Sequence, residues 1–400
     1  MRQRWSSQRF QANAKNQGID QNTIEHAIKH AKNIIQHGKY ILPIFTLRNL
    51  SFLAGVEYSF LREIVSREYI HPYRFFYIRK KGRNRRRKIC IPNPQLCKVQ
   101  RFLHKEVLQE FQIHPACFAY IRDSSIVGAA SVHVESRWLL KLDIINFFDS
   151  ISEISVYRAF RDNGFPALIS FEMARICTWL SFRNPHEIDS RWKIDHRHNY
   201  KIYHRSSISE MGSLPQGAPS SPMLSNIVCF KLDETLEELA VENGLRYTRY
   251  SDDLTFSTNS INFNRKSATL FISKVFSILK SHGFEPNKTK TEIIPPSSKK
   301  VVLGLNVDKK NVSLDKNVKY KIKQHIHFCL HSDVGPINHA KRKGFSSVIG
   351  FRNHLKGLIN YAKSIEPEFG EKMLSLYKKN KMAIRYIKHN INCNLLIVKA

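Results

Sequence analysis

Tyr250-Ser251-Asp252-Asp253 sets two adjacent carboxylates inside a run of alternating apolar and polar residues, Leu245 to Ser257. The alternation predicts two short strands joined by a tight turn, with the acids at its tip. Ser and Asp are also ordinary residues of solvated turns, so the pair gains meaning from a third acid far away in the chain. Asp143 closes the apolar run Trp138–Leu142 and opens Ile144–Ile151. An ionisable group at the end of a buried strand is costly unless it is paired or metal-bound. A helix cap is the plainer alternative. Two Mg²⁺ ions roughly 4 Å apart clamp the attacking and leaving oxygens of a phosphoryl transfer. Such hard cations take carboxylate oxygens, few from the protein and the rest from substrate phosphate and water. Carboxylates packed this closely repel one another without a cation between them. The expectation is a metal-dependent phosphoryl-transfer site built from Asp143 and Asp252, with Asp253 in support.

The surrounding segments read as elements that would hold such a site. Tyr73–Pro92 reads as strand, basic turn and strand, and a solvated hairpin tip explains the charge run equally well. Leu214–Pro222 carries three prolines and Gly217. Proline fixes backbone angles and glycine permits an unusual one, so the loop reads as rigid and irregular, its small residues leaving room for close approach of another group, with a plain structural turn as the alternative. Apolar positions from Ile24 to Ile35 fall at helical spacing and predict one helix over 21–37. Residues 1–20 are polar and expected to be loosely ordered. A His/Arg-rich stretch between Trp179 and Met211 reads as an inserted loop.

Composition points the same way. The chain has 400 residues and a formal net charge of +31, a bias that calls for a polyanionic partner. Residues 310–400 hold 18 Lys/Arg against 5 Asp/Glu, which suits helices that track a phosphate backbone. No apolar run reaches the ~18 residues of a spanning helix, and Met1–Phe10 lacks the apolar core of a signal peptide. Seven scattered cysteines form no zinc spacing and suit reduced thiols in a cytoplasm.

Four segments occur in the order of reverse transcriptase motifs: Leu142–Phe148, Leu214–Pro222, Tyr247–Ser257 and Gly283–Thr291. The chain resembles the bacterial retron and defence-associated reverse transcriptases over roughly residues 45–310. The resemblance implies an α+β right-hand polymerase: fingers, an RRM-like palm with an antiparallel sheet, and a helical thumb. The corresponding divisions are an N-terminal extension with one helix over 1–44, fingers mainly over 45–135, palm over 136–309 with an insertion at about 180–210, and a basic thumb over 310–400. By the same resemblance Asp143, Asp252 and Asp253 are the catalytic, metal-binding acids, and the Ile144 carbonyl completes the coordination of one of two Mg²⁺ ions. Phe148 is the steric gate that excludes a ribose 2′-hydroxyl. Lys80 and Arg87 grip the dNTP triphosphate, Gln216 and Gly217 contact the nucleotide, and Lys290 approaches the departing pyrophosphate. Tyr250, Ser251, Leu303 and Gly304 face primer and template.

The implied activity is RNA-directed DNA polymerase, copying a cognate structured non-coding RNA into DNA from dNTPs, in the cytoplasm, within bacterial antiphage defence. A defence effector or a second copy of the chain are further partners; a membrane is not. Two departures stand out. Ala129-Ala130-Ser131-Val132-His133 lacks the asparagine that retron enzymes carry there, and Val302-Leu303-Gly304 stands where they show Val-Thr-Gly. They turn the expectation from a retron enzyme towards a defence-associated reverse transcriptase, with the second type as the candidate. The alternatives are a retron enzyme making RNA-linked msDNA, an RNA-binding scaffold, or a template-independent polymerase on the same fold.

Overall fold

The computed structural model describes residues 5–38, 40–67, 72–79, 86–180 and 211–379. Lys80 and the insertion expected at about 180–210 (all but its first residue) lie outside them. The chain divides into two compact units, Met1–Ser125 with Leu140–Ile293, and Ile126–Leu139 with Ile294–Ala400. The segment 294–309 therefore groups with the helical C-terminal part, where the sequence reading placed it in the palm.

The N-terminal extension holds two helices, Ser7–Asn16 and Gln21–Ile35, where one was expected. The first is too polar to show an apolar stripe. It is held by its ends instead: Ser6 accepts from the Arg9 amide, and the Phe10 ring packs at 5.7 Å from both Trp5 and Phe45. Asp20 caps the second helix by accepting from the Thr23 amide at 2.9 Å, the ordinary N-cap arrangement.

Strands β1 (Tyr73–Arg79) and β2 (Arg86–Pro92) form an antiparallel hairpin with Tyr73 opposite Pro92 and Arg79 opposite Arg86. The palm sheet contains β3 (Trp138–Asp143), β4 (Arg246–Tyr250), β5 (Asp253–Thr258) and β6 (Glu292–Ile294), in the order β4-β5-β3-β6. Leu140 and Leu142 of β3 join Leu254 and Phe256 of β5 in the main core, under helices Glu153–Asp162, Ser221–Val228, Phe230–Glu242 and Arg265–Ser281. Among the described residues no helix is long and apolar enough to cross a membrane.

The second unit pairs β7 (Val301–Val302), β8 (Leu305–Asn306) and β9 (Ser313–Leu314) beside helices between Lys316 and Lys379. Leu303 and Gly304 form the two-residue loop of the β7–β8 hairpin, both with positive φ, as a type I′ turn requires. Phe351 belongs to the core of this unit and Tyr361 and Tyr377 pack against that core, whereas Tyr320 is exposed.

One buried charge fixes the approach to the Leu214–Pro222 loop. Glu153 is fully buried and accepts from Arg67, Thr178 and the Gly212 amide, with the Arg175 guanidinium 2.8 Å away. Trp179 and Ser213 exchange backbone hydrogen bonds beside it, and the Leu214 amide donates to Ile151. Removing one partner of such a cluster leaves buried charge uncompensated, at about 3–5 kcal/mol. Glu153→Ala should therefore lose about that much stability in chemical denaturation; a loss below about 1 kcal/mol would show that the cluster does not hold this region.

Candidate active site

The register Tyr250↔Asp253 leaves Ser251 and Asp252 as the two-residue loop between β4 and β5. Ser251 has φ 60° and Asp252 does not share the positive sign. That is the sign pattern of a type II′ turn, where glycine is the usual first residue. Serine at this angle costs of order 1–3 kcal/mol and persists where surrounding contacts impose it.

Those contacts lie beneath the turn. Arg249 and Asp233 are fully buried and paired through two bonds, Nε to Oδ1 at 2.7 Å and Nη2 to Oδ2 at 2.6 Å. The remaining guanidinium nitrogen donates to Asn226 Oδ1 at 3.2 Å and to the Ser251 carbonyl at 3.3 Å. Tyr247 adds its hydroxyl to Asp233 at 2.8 Å. Burial and the neighbouring Asp233 hold the Tyr247 phenol well above its ordinary range. A bidentate, charge-assisted fork fixes direction as well as distance, and here its free arm ends on the turn.

Asp143 reaches the same turn from β3. β5 and β3 are neighbours in the sheet, and the Ile144 amide donates to the Asp252 carbonyl at 3.1 Å. The backbone groups of Asp143 and Ile145 face the other way: the Asn287 amide donates to the Asp143 carbonyl at 2.7 Å, and Ile145 donates to Glu285 at 2.9 Å. Alternation along the strand then turns the carbonyl of Ile144 to the Asp252 side. Asp143 is 5 % exposed. Its Oδ1 accepts from Asn287 Nδ2 at 2.7 Å, and its Oδ2 takes the Lys290 ammonium.

Asp253 keeps an open face to solvent. Even so, the protein around its carboxyl, then the charges of Asp252 and Asp143, push its pKa up to about 6, against the opposing pull of Lys290 and Lys141. The three acids thus sit close enough to feel one another. Among the described residues no group of three or more His, Cys, Asp or Glu side chains is placed to hold a metal ion. The Lys290 ammonium on Asp143 stands where a cation would neutralise the carboxylate. Two carboxylates and a backbone carbonyl, as on Asp143, Asp252 and Ile144, are the kind of oxygen donors that a hard divalent ion takes.

The remaining expected residues fall into three groups. Phe148 and Phe147 separate: Phe147 is buried and stacked on Phe284 at 5.7 Å, whereas Phe148 keeps part of its ring free. Arg87 is exposed on β2, the strand that meets the loop of Gln216 and Gly217 at Ile89 and Cys90. Gln216 accepts from the Cys90 amide at 2.8 Å, and a Cβ on Gly217 (φ 116°) would lie 2.8 Å from the Cys90 carbonyl oxygen. The close approach of strand β2 by itself requires glycine here. Leu303 and Gly304 belong to the second unit. Arg249, Asp233, Asn226 and Asn287 were not anticipated. Arg249 and Asn287 lie inside quoted motifs, and an arginine alternating with Tyr247 on a buried strand was a usable signal. Asp233 and Asn226 carry none, since only the fold brings them together.

Residues 78–307 match the family model of the reverse transcriptases (RNA-dependent DNA polymerases). The retron Ec86 reverse transcriptase of Escherichia coli is 29% identical over 308 residues, 76% of this chain and 85% of the relative. The retron Ec83 reverse transcriptase of Escherichia coli is 30% identical over 306 residues, 72% and 82% of the two chains. The retron Mx65 reverse transcriptase of Myxococcus xanthus is 27% identical over 342 residues, 84% and 73%. A foamy viral protease-reverse transcriptase in complex with double-stranded DNA aligns over 77% of this chain and 39% of its own, at 16% identity and a TM-score of 0.39. Sheet, acids and family match together define a right-hand polymerase. The chain belongs to the reverse transcriptase family, is of the bacterial retron type, and is an RNA-directed DNA polymerase. These relatives do not single out the second defence-associated type.

The raised Asp253 pKa has a testable sign. An acid with a raised folded pKa favours the folded state while protonated, and its penalty grows as pH rises through about 4 to 6. Asp253→Asn should raise the melting temperature of metal-free protein at pH 7.5, with the gain vanishing towards pH 4. Excess Mg²⁺ should erase the gain at pH 7.5. An unchanged melting temperature in EDTA would contradict the crowding of these acids.

Proposed function

We propose that this reverse transcriptase copies a cognate structured RNA into DNA at the Asp143–Asp252 turn. The supporting observation is the convergence of Asp143, Asp252 and Asp253 on one turn, with a lysine ammonium already seated on Asp143. Asp143, Asp252 and the Ile144 carbonyl would hold two Mg²⁺ ions, with Asp253 adjusting the local charge. When bound, such ions lower the barrier by stabilising charge on the oxygens of the transferring phosphoryl group.

The reaction is attack of the primer 3′-hydroxyl on the α-phosphate of a dNTP, with pyrophosphate leaving. Lys290 leaves Asp143 for the departing pyrophosphate and donates a proton to it; general acids of this kind contribute about 10²–10⁴-fold. Phe148, with part of its ring free, limits the space beside the sugar and selects dNTP over rNTP. Arg87 supplies a fork suited to phosphate. Gln216 and Gly217 act together with β2 as one rigid wall beside the nucleotide. Leu303 and Gly304, in a two-residue hairpin loop, contact primer and template, and the basic helices of the second unit take the role of the thumb.

The antiphage role rests on the resemblance to the retron and defence-associated enzymes. The six described cysteines are all free thiols, which suits a cytoplasmic enzyme.

Purified protein should extend a DNA primer on RNA with dNTPs and Mg²⁺. Asp143→Ala and Asp252→Ala should each lose at least about 10³-fold, since several kcal/mol of charge stabilisation disappear. Their melting temperatures should not fall. Near-normal extension by Asp252→Ala would overturn the site assignment. Sequencing nucleic acid co-purified with the wild type should return one dominant structured RNA with its DNA copy; random cellular RNA would contradict the cognate template.

A further inference from the structure

Tyr120 sits beside the catalytic turn, and no role in folding accounts for it. The segment that carries it is tightly held. The Phe118 amide donates to the Arg249 carbonyl at 2.9 Å, the Arg249 amide donates to Ala116 at 2.8 Å, and Asn226 Nδ2 donates to the Ala119 carbonyl at 2.6 Å. Ser124 Oγ closes the segment on the Phe118 carbonyl at 2.7 Å. Tyr120 follows with φ 62°, a backbone state that glycine adopts freely and a bulky residue adopts at a cost. The residue is 42 % exposed and so contributes little to the core.

The chemistry it does perform points at the site. The phenol oxygen lies 3.1 Å from Ser251 Oγ, as the donor, on the residue before Asp252. The ring stands 6.5 Å from the Tyr250 ring, tilted by 42°. Two part-exposed aromatic rings therefore flank the turn that must meet the primer 3′-hydroxyl. Aromatic faces accept bases without regard to sequence, as a polymerase needs at the growing end. Strain of this kind is retained where surrounding structure imposes it for function.

We propose that Tyr120 is a substrate-contacting residue: its ring, with that of Tyr250, packs against the terminal base pair of primer and template, and its hydroxyl ties this platform to the Asp252 turn through Ser251. The inference rests on the polymerase assignment and adds a residue that the family motifs quoted above do not include. Ring and hydroxyl have separable consequences. The ring carries affinity for the primer–template end. The hydroxyl carries the position of the turn and so acts on turnover.

The test compares Tyr120→Gly and Tyr120→Phe with wild type in the full chain. The Kd of a labelled primer–template is read by fluorescence anisotropy without dNTP, and kcat and both KM values by primer extension. Tyr120→Gly should weaken primer–template binding about tenfold, the size of one lost base–aromatic stack, and leave the dNTP KM within twofold. Its melting temperature should equal or exceed that of wild type, because glycine suits the left-handed backbone. Tyr120→Phe should bind primer–template like wild type and lose several-fold in kcat, with a higher Mg²⁺ requirement. Unchanged primer–template Kd in Tyr120→Gly, or a rise in dNTP KM instead, would overturn the proposal. Absence of extension by wild type would count against the polymerase assignment instead, and the anisotropy comparison would still decide for or against Tyr120.

Discussion

A single buried ion pair sets the geometry on which the site depends. Arg249 and Asp233 lie out of contact with solvent, where each charge alone would carry a desolvation penalty of several kcal/mol. The pair is tolerated because nearly every donor finds an acceptor. The guanidinium serves Asp233 twice, Asn226 once and the Ser251 carbonyl once. Those partners come from helices Phe230–Glu242 and Ser221–Val228 and from the turn itself. A greasy pair of similar volume would pack as well, and such replacements are often neutral for stability. It could not reach the Ser251 carbonyl. The arrangement is better understood as a positioning device than as a source of stability.

Above the pair, charge density governs behaviour. The chain carries +31 overall, yet three carboxylates are collected at one point. Lys290 relieves part of the repulsion on Asp143, and Asp253 relieves part by holding its proton more tightly. Both are consequences of negative charge gathered at one turn. The same lysine is a local counter-ion on Asp143, and a flexible point charge that is 40% exposed suits the proposed second role of proton donor.

How much of this was legible in the sequence follows from the range of each signal. Asp143 and the Ser251–Asp253 loop were legible because acids that interrupt apolar strand patterns are costly, and register then had to bring them to a strand end. The hairpins at Tyr73–Pro92 and Leu245–Ser257 were legible from alternation. Gly217 was seen as constrained, but its constraint is the backbone of β2, a contact that only tertiary structure creates. Helix Ser7–Asn16 was missed because its stability comes from a cap and from aromatic packing at its ends rather than from an apolar stripe. Asp233 looked like any acid on an amphipathic helix. Its partner lies on the next element, strand β4, and only the packing of helix on strand brings the two together.

The central claim is that the Arg249–Asp233 pair exists to hold the Asp252 turn rather than to stabilise the fold. The double substitution Arg249→Met with Asp233→Leu separates the two, with primer extension and the melting temperature measured on the same preparation. The account predicts a melting temperature within a few degrees of wild type and a kcat lowered by about 10²-fold or more, the scale of an ångström's misplacement of a reacting group. A double variant that copies RNA at the wild-type rate would contradict it.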